Sequence, residues 1–177
     1  MAFFDDLISQ VDGALRTLSG VAAARRENPA DQADASGELN DGERAHAAGL
    51  MRVNHAGEVC AQALYEGQAA VAQDAPTREA LLAAAREETD HLVWCAERLR
   101  ELDSAPSRLN PLFYAASYAM GAATGLMGDR VSLGFVEATE DQVCRHLEAH
   151  LEALPEGDER SRRIVEQMHE DLSLIHI

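Results

Sequence analysis

Proline is poorly tolerated inside a helix, and all five prolines of this chain fall between segments with helical periodicity. Residues 43–73 are rich in Ala, Leu and Glu and contain no proline, which predicts one long helix. Asp74-Ala75-Pro76-Thr77 breaks it, and Pro76 suits the first turn of a second helix reaching Leu102. In that helix Leu81, Leu82, Ala85, Leu92, Val93, Ala96 and Leu99 follow the 3.6-residue period. Pro106 and Pro111 lie in a connection over Asp103–Pro111, followed by an uncharged stretch with a break at Gly125–Gly128 and a helix from Arg130 to Leu154. Pro155-Glu156-Gly157-Asp158 turns the chain into a last helix from Glu159. At the other end, Phe3, Phe4, Leu7, Ile8, Val11, Leu15 and Leu18 form one stripe, so residues 1–24 read as an amphipathic helix. Residues 25–42, polar and without a period, read as a linker. No segment alternates as a strand does, so the fold is expected to be all-α, with residues 43–177 forming an antiparallel four-helix bundle.

A chain of 177 residues suffices for one domain with a substantial core. The formal charge of -16 repels phosphate backbones and argues against nucleic acid as a partner. Cys60, Cys95 and Cys144 are widely spaced within helical patterns, which predicts neither disulfides nor a zinc site and fits a reducing cytoplasmic setting. Asp5 and Asp6 follow Phe3 and Phe4 with no sustained apolar run, so no signal peptide is expected.

Bundle sites for two iron ions take one Glu from each of two helices and a Glu-x-x-His pair from each of the others. Glu88-Thr89-Asp90-His91 supplies such a pair, with both side chains on one helical face. In an antiparallel hairpin, residues equidistant from the turn lie at the same height, and Glu58 and Glu88 are equidistant from residue 73. By the same reasoning Glu140 should face a partner near residue 172 or 173, where the sequence carries no acidic residue. Glu166-Gln167-Met168-His169 has the right spacing but lies six residues early, about 9 Å along the axis and about 240° around it, and is read as a decoy. His46, His146 and His150 are expected at the surface or in the core.

Arg52-Val53-Asn54-His55-Ala56-Gly57-Glu58, then Ala63-Leu64-Tyr65-Glu66-Gly67-Gln68, resembles the first metal-ligand motif of the demethoxyubiquinone hydroxylases. The likeness continues through Glu88 to Leu92, Leu109-Asn110-Pro111, Gly128-Asp129-Arg130 and Ala138-Thr139-Glu140-Asp141-Gln142-Val143, covering roughly residues 40–171. It implies a ferritin-like di-iron bundle that uses O2, and electrons ultimately from NAD(P)H, to hydroxylate the quinone ring of demethoxyubiquinone during ubiquinone biosynthesis. Glu58 would bind one iron, Glu88 would bridge both, His91 would bind the first and Glu140 the second. His55, one turn before Glu58, and Tyr65 are candidates for supporting contacts. The family pattern continues as Asp-Glu-x-x-His, which would put the last carboxylate at position 172 and the last imidazole at 175, where this chain has Leu172 and Ile175. That departure predicts a chain cut short near residue 171 with unrelated residues following, and a metal site lacking two ligands.

Leu109–Gly128 is twenty residues without a charge, but it is rich in Ala and Gly, so it reads as a surface lying against a membrane and not as a spanning helix. The long prenyl tail of the implied substrate agrees, placing the protein peripherally on the cytoplasmic face of the cell membrane, in reach of other ubiquinone-biosynthesis proteins. Two other classes share parts of the pattern. A ferritin-like iron-storage bundle would lack the membrane surface, and a non-catalytic bundle would be favoured by the missing ligand pair.

Overall fold

The computed structural model describes residues 2–33 and 37–174, with side chains from Val11 onward except that of Leu174. The stripe positions Phe3, Phe4, Leu7 and Ile8, and Ile175, therefore lie outside the described side chains. Among the described residues there are six α-helices and no strand. They are α1 (Ala2–Ser19), α2 (Asp41–Val71), α3 (Ala75–Glu101), α4 (Asn110–Leu126), α5 (Asp129–Ala153) and α6 (Glu159–Leu174), with a 3-10 turn at Pro29–Gln32.

Local chemistry sets the helix starts. Asn40 and Glu43 form a reciprocal capping box on α2, with Glu43 N–H donating to Asn40 Oδ1 at 3.0 Å and Asn40 N–H to Glu43 Oε2 at 2.9 Å. Asp74 accepts from the Thr77 N–H at 3.3 Å at the start of α3. Asp129 on α5 ties back to this turn, accepting from the Gln73 and Asp74 N–H groups at 3.2 and 3.0 Å.

Helices α2, α3, α5 and α6 enclose two apolar layers. Met51, Trp94, Cys95, Leu99, Leu147, Ile164 and Met168 build one. Leu64, Tyr65, Leu81, Ala85 and Val136 build the other. Along α2, α3 and α5 the residues between these layers include Glu58, Glu88, His91 and Glu140, so the polar site lies between two apolar floors. At the far end Arg98 and Asp158, both buried, pair at 2.6 Å and join α3 to the start of α6.

Helix α4 packs on α2, the two running closer than side chains normally allow. A Cβ on Gly67 would stand 2.2 Å from the Tyr118 carbonyl oxygen, and one on Gly121 would stand 2.2 Å from that of Leu64. The expected break at Gly125–Gly128 is present, with α4 ending at Leu126; Gly121 does not interrupt the helix but serves close approach to α2. The chain turns at Gly128, whose φ of 107° suits glycine. The segment read as a linker also contains ordered structure. Its four-residue turn is too short to show a period, and Ala30 within it is 1% exposed.

Candidate metal centre

Glu58 from α2 and Glu88 and His91 from α3 each bring a ligand atom within 4.8 Å of the other two, and all three are buried. His91 Nδ1 lies 3.0 Å from Glu88 Oε2 and 3.5 Å from Glu58 Oε2. The tight α2–α3 turn sets this meeting, since it places positions equidistant from it at one level. The ring's other nitrogen, Nε2, donates to Asp171 Oδ2 on α6 at 2.8 Å.

Burial and mutual repulsion dominate the electrostatics. Loss of water pushes the Glu88 carboxyl up to about 8, and the neighbouring Glu58 charge pushes the same way. Burial would raise Glu58 too, but its hydrogen bonds with Glu88 and His91 hold it below the usual range. Burial opposes a charge on His91, yet Asp171, Glu58 and Glu88 together raise it well above an ordinary histidine. The imidazolium is thus the cation that the surrounding carboxylates favour. Glu88 Oε1 is buried with no hydrogen-bond partner. A histidine nitrogen, clustered carboxylates and an oxygen with no donor form a set suited to iron.

Glu140 is buried at 7% exposure and accepts from the Tyr65 hydroxyl at 3.1 Å. Its carboxyl is pushed up to about 7, first by burial and in part by the Glu88 charge, although Tyr65 pulls the other way. It stands beside the three-residue cluster, outside the 4.8 Å group. Tyr65 thus contacts the candidate site through Glu140. His55 does not touch Glu58 by hydrogen bonding; its Nδ1 pairs with Asn110 Nδ2 at 3.2 Å, and burial lowers it to about 4. The decoy pair stays outside, His169 meeting Glu148 at 3.2 Å with its side chain 31% exposed. His46 and His146 are exposed and His150 is buried.

Leu172 is buried at 5% exposure within the apolar layer that contains Met51, Leu147 and Met168. Asp171, one position earlier, is the α6 carboxylate that reaches His91, and sequence reasoning missed it by seeking a direct ligand at 172 or 173. The signal was its acidity next to that level on the last helix.

Comparison with known proteins gives the same direction. Residues 45–173 match the family model described as "Ubiquinone biosynthesis protein COQ7". The chain is 55% identical to a 3-demethoxyubiquinol 3-hydroxylase of Ralstonia pickettii, over 94% of this chain and 82% of that protein. It is 59% identical to the one from Chromohalobacter salexigens, covering 94% of this chain and 78% of that protein. For the Xanthomonas campestris pv. campestris protein of the same name the identity is 60%, covering 94% and 76%. With the match running from the start of α2 almost to the end of α6, across every helix that contributes to the buried cluster, the chain belongs to the COQ7 family of ubiquinone-biosynthesis hydroxylases.

Proposed function

We propose that Glu58, Glu88, His91 and Glu140 hold iron for hydroxylation of a polyprenyl benzoquinone ring, with O2 as co-substrate and NAD(P)H as the ultimate electron source. The observation that carries this reading is the buried convergence of Glu58, Glu88 and His91. Iron, when bound, supplies the O2 activation that ring hydroxylation requires. The protein's own residues do the rest. Glu58 and Glu88 release the proton held between them, and His91 its Nδ1 proton, as the ion enters. Asp171 accepts the hydrogen bond from Nε2–H, keeps that proton on Nε2 and leaves Nδ1 facing the carboxylates. The two apolar layers keep bulk water from the site.

A groove of about 420 Å³, lined by Val53, Ala56, Gly57, Phe113 and Val143, reaches Glu58 and offers an apolar path for the quinone. Its lining suits a hydrophobic ring and tail. The outer face of α4, opposite the buried Asn110, Tyr114, Gly121 and Gly125, exposes Leu112, Met120, Leu126 and Met127 with no charge among them. On α1, Val11 and Leu15 are also exposed. No described helix is long and apolar enough to cross a membrane. These faces support peripheral attachment at the cytoplasmic side of the cell membrane, by apolar contact because the chain carries a charge of -16, with other ubiquinone-biosynthesis proteins as neighbours.

Buried Leu172 favours a second reading for this particular chain, a bundle that binds metal without turning over. One experiment addresses both. Conversion of a short-tailed demethoxyquinone under O2 and NAD(P)H is followed in the parent, in the Leu172→Glu/Ile175→His variant, and in that variant with Glu88→Ala added. The double variant is expected to hydroxylate the ring faster than the parent, and Glu88→Ala to abolish turnover. Equal turnover with and without Glu88 would refute the metal assignment.

A further inference from the structure

Residues 25–28, between α1 and the 3-10 turn, lie along one stripe of α3. The Arg25 N–H donates to Asp90 Oδ1 at 2.6 Å, Arg26 Nε donates to Asp90 Oδ2 at 2.9 Å, and Asn28 Nδ2 donates to Glu97 Oε2 at 2.8 Å. The Arg26 guanidinium stacks 4.8 Å from the centre of the Trp94 ring. Asp90, Trp94 and Glu97 follow the i, i+4, i+7 spacing of a single helix face, so the segment is a strap laid along α3.

One member of the strap reaches the second rank of the metal site. Arg26 Nη2 donates to Asp171 Oδ2 at 2.6 Å, the same oxygen that accepts from His91 Nε2 at 2.8 Å. The other oxygen, Asp171 Oδ1, accepts from Gln167 Nε2 at 2.9 Å. Asp171 is therefore fixed by three donors, two from its surroundings and one from the candidate ligand. Only a planar fork can meet Asp90 on α3 and Asp171 on α6 together, and the Trp94 ring sets the plane of that fork. Trp94 also lies 5.5 Å from the His91 ring, centre to centre.

We infer that Arg26 is a positioning residue for the metal centre: held by Asp90 and Trp94, it fixes Asp171, and Asp171 fixes the His91 ring with Nδ1 toward Glu58 and Glu88. This rests on the reading of His91 as a metal ligand. A carboxylate that must accept from Arg26 is committed as an acceptor toward His91 as well, so the ring is presented in one tautomer and one rotation. Without Arg26, Asp171 keeps only Gln167 as a second anchor and is free to turn toward solvent, leaving His91 unsupported.

The test uses Co(II), a redox-stable stand-in for ferrous iron, titrated into the 177-residue chain and into Arg26→Gln, Arg26→Lys, His91→Ala and Gly121→Ala. Affinity, the visible ligand-field spectrum and the metal-free melting midpoint are recorded for each. Loss of an outer-shell partner typically weakens a metal by about 10- to 100-fold, and Arg26→Gln is expected in that range with a changed spectrum. Arg26→Lys should recover only part of the affinity, since an ammonium serves one carboxylate and not two. Gly121→Ala, destabilised at the α2–α4 crossing and outside the hydrogen bonds joining Arg26, Asp171 and His91, should keep the parent spectrum. Parent-like affinity and spectrum in Arg26→Gln, beside weakened binding in His91→Ala, would overturn the role of Arg26 alone. Parent-like binding in His91→Ala would overturn the ligand assignment and this inference with it. A loss in Arg26→Gln matched by Gly121→Ala at equal melting midpoint would reduce Arg26 to a fold-stabilising contact and also overturn it.

Discussion

Glu87 and Glu88 are neighbours in sequence and opposites in environment: Glu87 is exposed, and Glu88 is fully buried against Glu58 and His91. Adjacent side chains on a helix point about 100° apart. Glu88→Ala is therefore expected to reduce ferrous affinity below detection, while Glu87→Ala leaves it within about twofold, as read by anaerobic titration. The same burial makes the site sensitive to pH. Glu88 titrates near 8 and Glu140 near 7 against an ordinary 4.5, and His91 is also raised. Folded values above the unfolded ones mean that the fold holds these protons more tightly, so the stability they contribute is present at low pH and lost as pH rises toward 8. The lowered values of His55 and His150 act the other way between about pH 4 and 6.5, whereas Glu58, lowered below 4.5, adds no pH dependence above that value. The metal-free melting midpoint should fall between about pH 6.5 and 8 while Co(II) affinity rises across the same window, because the ion displaces protons. A midpoint and an affinity that both stay flat would contradict this electrostatic picture.

At the scale of elements, α2 and α4 cross on glycines that leave no room for a side chain. Gly67→Ala or Gly121→Ala drives a methyl group into a carbonyl and should cost about 1–3 kcal/mol in denaturant unfolding, even after the gain in helix propensity. A methyl group added at Gly49 on α2 would meet nothing within 4 Å, so Gly49→Ala should stabilise by about 0.5–1 kcal/mol. Helices and turns were legible because proline and the 3.6-residue period are local signals: the sequence placed the break between α2 and α3 at Asp74–Thr77, and the helices end at Val71 and resume at Ala75. Glu58 was legible for the same reason, since a hairpin converts sequence distance into height. The close α2–α4 approach was not, because a glycine in a helix reads as a weak point until its neighbour is known. The strap was invisible too. Its contacts join Arg26 to Asp90 and Asp171, far apart in sequence, and a polar segment without a period carries no sign of its partners. The uncharged outer face of α4 adds a prediction of its own. Leu112→Asp, at a position 63% exposed, should weaken binding to neutral phospholipid vesicles several-fold in a flotation assay while leaving the melting midpoint unchanged.

For the whole molecule, the family membership and the buried cluster meet at one question, whether Glu58, Glu88 and His91 are a metal centre. The chain covers 74–82% of the length of relatives it matches, and Leu172 is buried in an apolar layer at the position where the resemblance implies a carboxylate. Glu58, Glu88 and His91 converge closely enough to hold one ion, so one ion per chain is the stoichiometry to test. Anaerobic ferrous titration of the 177-residue chain against its Glu88→Ala variant tests this most directly. One ion per chain, bound saturably by the parent and not by the variant, is the expected result; identical isotherms for the two proteins would contradict it.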